Sequence, residues 1–136
     1  MPALDWVEEA GLRAAGPGAS LQALAAWAGG AVRPGAEEAL IDAPAALEGV
    51  LNLRLAARDG APVTVSAWYG RGEGPTIADA EAVLGAWAEH PRPPGGPFEG
   101  VFADAPAPEG WRVAGTLHDP PGAPGRRLVE IALLRD

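Results

Sequence analysis

The chain has 136 residues, room for one ordinary domain with a real core, and 48% of them are hydrophobic, alanine supplying much of that share. A net charge of -8 and a pI near 4.7 disfavour nucleic acid and anionic membrane as long-range partners. Cysteine and lysine are both absent, which excludes disulfides, thiolate chemistry, zinc–thiolate sites, a Walker A loop and Schiff-base catalysis.

No apolar run approaches the roughly 20 residues of a membrane span, and the N-terminus lacks a basic, apolar leader, so a cytoplasmic protein is expected. The 19 glycines and 15 prolines cluster between periodic segments and therefore read as loop punctuation in a folded chain. Leucine, valine and five tryptophans must supply most of the core.

From Ala3 to Ala15, Leu4, Val7, Ala10 or Gly11, and Ala14 fall on one helical stripe, ended by Gly16-Pro17-Gly18. Ser20 is a good N-cap for a second helix with Leu21, Leu24, Trp27 and Ala28 on one face, and Gly29-Gly30 ends it. Residues 1–30 thus predict a helical pair packed on the remainder, residues 38–136.

Ala39 to Asp42 is a strand candidate, and Gly49 to Asp59 alternates more clearly, with Leu51, Leu53, Leu55 and Ala57 expected inward. Asp59-Gly60 is the strongest hairpin signal in the chain and joins this strand to Val63–Tyr69, where Val63, Val65 and Ala67 should face the core. A loop, Gly70-Arg71-Gly72-Glu73-Gly74-Pro75, follows. Thr76-x-x-Asp79 then reads as a capping box opening a helix over Ile77–Glu89 (76–90 with its caps), with Ile77, Ala80, Val83, Leu84 and Trp87 as its apolar stripe. His90-Pro91 closes it. The proline-rich stretch Arg92 to Pro97 is expected to carry the chain across the sheet to a new edge. Three more strand candidates complete the chain: Phe98–Asp104, Trp111–His118 and Arg127–Arg135. In the last of these Val129, Ile131 and Leu133 share a face. The composite is an α+β single domain, an antiparallel sheet of five or six strands with one central helix and the N-terminal helical pair packed on it.

Few residues here suit catalysis. No Gly-x-Ser-x-Gly elbow exists. A hydrolase would have to assemble Ser66 with His118 and Asp119, and with His90 near the glycine loop. The simpler reading of His118 is a histidine at a hairpin tip. His90 and His118 with Asp104 or Asp119 could make a carboxylate–histidine metal site, but His90 at a helix end needs no metal to explain it, so neither metal nor cofactor is expected. The acid pairs Glu8-Glu9 and Glu37-Glu38 read as solvated surface.

Two surfaces remain. The loop residues Gly70, Arg71, Gly72 and Gly74 with Thr76 could present backbone N–H groups to an anion at a helix start. Against that, Glu73 shares the loop and the spacing is not Gly-x-Gly-x-x-Gly, which favours a plain connector. The second surface is the outward sheet face. Alternation places Asn52, Arg54, Arg58, Ser66 and Trp68 there beside Thr64, with Arg112, Thr116 and His118 joining from the later hairpin. This would gather the chain's only asparagine, one of its two serines and two of its three threonines on one surface. Such a face suits a protein partner or a small anionic ligand, provided the N-terminal helices cover the other side. A binding or accessory module is the leading expectation, a small hydrolase the second. The third is a homodimer without a ligand, paired through an edge strand at Arg127–Arg135.

Overall fold

The computed structural model describes residues 4–92 and 94–136, so Ala3 of the first expected helix and Pro93 of the proline-rich stretch lie outside the described residues. Three helices and seven strands follow one another as α1 (Trp6–Ala15), α2 (Leu21–Ala28), β1 (Glu38–Asp42), β2 (Asn52–Arg58), β3 (Ala61–Trp68), α3 (Ile77–Leu84), β4 (Trp87–Glu89), β5 (Phe98–Phe102), β6 (Trp111–Leu117) and β7 (Leu128–Arg135). The strands form a single antiparallel sheet in the order β1-β2-β3-β7-β6-β5-β4. Two meanders, β1-β2-β3 and β4-β5-β6-β7, are therefore stitched together by the pairing of β3 with β7. No helix among the described residues is long and apolar enough to cross a membrane.

Local chemistry explains most of the boundaries. The Ser20 hydroxyl accepts the Ala23 N–H at 3.1 Å and opens α2, and Gly29 ends it in the left-handed region. Asp59 and Gly60 both have positive φ (52° and 80°), the conformation of a type I′ turn, whose twist matches the flanking strands. Thr76 caps α3 by accepting the Asp79 N–H at 3.1 Å.

The sheet has seven strands rather than five or six because the expected long helix stops early. Gly85, at φ 88°, ends α3 after Leu84, and Trp87 to Glu89 become β4 on β5. Val83, placed on the apolar stripe by periodicity, is half exposed. The Trp87 indole instead stands over Gly100 and Gly115, where a Cβ would collide with it, and tilts against Phe102 at 5.0 Å between centroids. The α3 segment, not the proline-rich stretch, carries the chain from the middle of the sheet to its far edge. β4 and β5, which flank that stretch, are direct neighbours in the sheet.

Burial falls on one side. Leu53, Leu55, Val65, Ala67, Leu128, Ile131, Leu133, Val113, Leu117, Phe98 and Phe102 point inward against Val7, Ala10, Leu21, Leu24, Ala80 and Leu84 from the helices. Two bulges adjust the alternation. Val63 is the extra residue between Thr64↔Ala56 and Pro62↔Ala57, so Pro62 takes the inward position expected of Val63. Val129 is the extra residue between Glu130↔Thr116 and Leu128↔Leu117. Leu51, also expected inward, precedes β2 and is exposed. β7 lies between β3 and β6, so a homodimer through that strand as a free edge is not available to this topology; its apolar residues on both faces suit a central position.

At the far edge, Arg126 pairs with Glu89 at 2.9 Å and its Nε donates to the Asp119 carbonyl at 3.0 Å. Burial alone would raise the Glu89 carboxyl. The hydrogen bonds from Arg126 and from the Trp87 indole, with the guanidinium charge, outweigh it and hold the group below its ordinary value.

Candidate functional site

Among the described residues no helix packs on the face opposite the core. Register sets its rows. One runs Arg54, Ser66, Ala132, Ala114, Val101 across β2, β3, β7, β6 and β5, and the next runs Asn52, Trp68, Glu130, Thr116, Glu99. Arg112 and Thr64 flank Leu134 in a third row. Asn52, Arg54, Ser66, Trp68, Arg112 and Thr116 thus share one face.

Arg58 has the same parity but sits at the hairpin tip beyond the bulge, outside the concavity described below. His118 lies past the end of β6, exposed and away from it. Trp68 is 38% exposed and Leu40 beside it 62%.

A shallow concavity of about 460 Å³ occupies the middle of the face, with Arg54, Ser66, Arg112, Thr116 and Glu130 in its lining and His90 and Glu99 at its far end. A second, of about 330 Å³, adjoins it between Leu40, Asn52 and Trp68 and shares Arg54, Ser66 and Glu130 with the first. Of these three shared residues Glu130 has its carboxylate clamped from both neighbouring strands. The Ser66 hydroxyl donates to Oε2 at 2.6 Å and the Thr116 hydroxyl to Oε1 at 3.2 Å. Ser66 itself is only 5% exposed, so its hydroxyl is committed to this contact. Arg54 lies 3.6 Å from Glu38, and Arg112 pairs with Asp136, both pairs on open surface where such contacts are worth little.

Sequence reasoning left Glu130 and Glu99 off this face and placed His90, a candidate for other chemistry, at a helix end. The available signal for Glu130 was a lone acid in the otherwise apolar run Leu128-Val129-Glu130-Ile131-Ala132-Leu133-Leu134. His90 was hidden by the overlong helix; its backbone N–H instead pairs with the Glu99 carbonyl at 2.8 Å, extending the β4–β5 ladder.

The glycine loop is stitched to the start of β7. The Glu73 N–H donates to the Gly70 carbonyl, the Ile77 N–H to that of Arg126, and the Asp79 N–H to the Thr76 hydroxyl. Arg127 reaches back to the Gly74 carbonyl at 2.8 Å, and the Leu128 N–H to that of Pro75. Beside Gly70, Arg71, Gly72, Gly74 and Thr76, the N–H groups of Glu73, Ile77 and Asp79 are therefore engaged within the protein. Asp119 holds a turn, its carboxylate accepting the Arg127 N–H at 3.0 Å, and it does not line the concavity that His90 borders. Among the described residues no three His, Asp or Glu side chains gather in a way that could hold a metal ion. No family model, curated protein or solved structure gives a significant match to this chain.

Proposed function

We propose that this protein is a binding module that recognises its ligand on the open sheet face around Arg54, Trp68, Glu130 and Arg112. The observation that carries the reading is the hydroxyl-clamped Glu130 in the lining of two adjoining concavities, on a face that no helix covers. A merely solvated sheet face needs no fixed carboxylate at its centre, no tryptophan beside it and no exposed leucine at its margin. Tryptophan and arginine are also the side chains that most often carry binding energy in a surface patch. The concavity lies within the roughly 300–1,000 Å³ typical of small-ligand sites, which favours a small molecule over an extended partner surface.

The test is calorimetric titration of a chemically mixed panel of small cations, anions and neutral amphiphiles against wild type, Trp68→Ala and Arg54→Ala. Both positions are exposed and both variants are expected to fold. The reading predicts at least one compound whose affinity changes several-fold in one or both variants. If every compound bound all three proteins alike, the open face would not be the recognition surface.

A further inference from the structure

Resting on that reading of the open face, we infer that the groove from Trp68 past Glu130 to Glu99 takes a small linear amine bearing two or more ammonium groups. A hydroxyl has one proton to give. Ser66 and Thr116 both spend theirs on the Glu130 carboxylate, so neither hydroxyl has a proton left to give a ligand. A ligand seated there must bring donors.

The charges point the same way. Among the described residues Glu130 and Glu99 have no cation paired with them, whereas Arg54 and Arg112 are each matched to a carboxylate of their own, Glu38 and Asp136. Within the lining the two arginines balance the two glutamates, and only with Glu38 and Asp136 beside the arginines does the set become negative; a net charge of -8 on the whole chain draws cations toward it. An anion would meet Glu130 and Glu99 as well as the two guanidiniums, each of which already has a carboxylate beside it.

Geometry narrows the class. Glu130 is the register partner of Thr116, and Thr116 that of Glu99, so the two residues lie two strands apart on one row, their backbones about 10 Å apart at the usual inter-strand spacing. Trp68 is the register partner of Glu130 on the opposite side. One ammonium placed between them gains an ion pair and the face of an indole; a second reaches Glu99 along the row.

Calorimetric titration with spermidine, butylamine and glutarate, at low and raised salt, tests the inference. Spermidine is expected to bind, more weakly as salt rises, and better than either butylamine or glutarate. Glu130→Gln is expected to weaken spermidine at least about tenfold, the loss of a charge-assisted contact. Glu99→Gln, at an exposed position, should weaken spermidine several-fold and leave butylamine alone. Arg54→Ala, which removes a neighbouring cation, should leave spermidine as tight or tighter. Spermidine binding no better than glutarate, or unchanged by both glutamate variants, overturns the inference. If glutarate or a panel compound bound in a Trp68-dependent way while spermidine did not, the amine would fall and the binding face would stand. If nothing bound there, both would fall.

Discussion

Tyr69 is the only tyrosine in the chain, and it follows the last residue of β3 into the core, where its hydroxyl accepts a hydrogen bond from the Trp6 indole at 3.2 Å. Burial raises its phenol from 10.0 to about 12, the Trp6 contact offsetting only part of this. In the unfolded chain the phenol ionises near 10, so its contribution to stability is fully present below that pH and is lost as pH rises toward 12. Phenolate absorbance read against alkaline pH reports this one group. The expected midpoint in the folded protein is near 12, unless unfolding intervenes first as a cooperative step; a reversible midpoint near 10 with the fold intact would place the ring in water. Glu130 makes the complementary point about what a residue's letter conveys. Its strand position was readable, but its role depends on Ser66, 64 residues earlier, and Thr116, 14 residues earlier, and no local pattern links the three.

At the level of elements, signals held within four residues could be read directly. Asp59-Gly60 and the Ser20 and Thr76 caps behave as their chemistry dictates. The end of α3 could not be read that way, because Ile77, Ala80, Leu84 and Trp87 keep helical spacing while Gly85 breaks the backbone between them. What decides the matter is distant: the seat for the Trp87 indole is made by Gly100 and Gly115, on strands that periodicity cannot align with it. The glycine loop before α3 has a comparable steric origin. Gly74 is buried against β7, and a Cβ there would run into the Leu128 carbonyl, a group with no freedom to move aside. Gly74→Ala is therefore expected to destabilise the protein by on the order of 3 kcal/mol or more in denaturant unfolding. A loss under about 0.5 kcal/mol, the range of ordinary surface changes, would mean that the loop does not lie against β7.

For the whole molecule, alternation along each strand sorted side chains into an inward set and an outward set, and Asn52, Arg54, Ser66, Trp68, Arg112 and Thr116 share the outer face in the folded sheet. The order of strands lay beyond that reasoning. Pairing β3 with β7 closes a contact between segments more than 60 residues apart, and it places the strand read as a free edge at the centre. That single pairing also brings Ser66 and Trp68 beside Glu130, so the candidate site exists only because the two meanders meet there. Ligands are expected to bind on the open face. The most direct measurement is amide chemical-shift mapping of the labelled protein as the compound panel is added. The prediction is that perturbations gather on Arg54, Ser66, Trp68, Thr116 and Glu130 and leave the residues of α1, α2 and α3 unmoved. Perturbations gathered on the helices, with the open face silent, would contradict it.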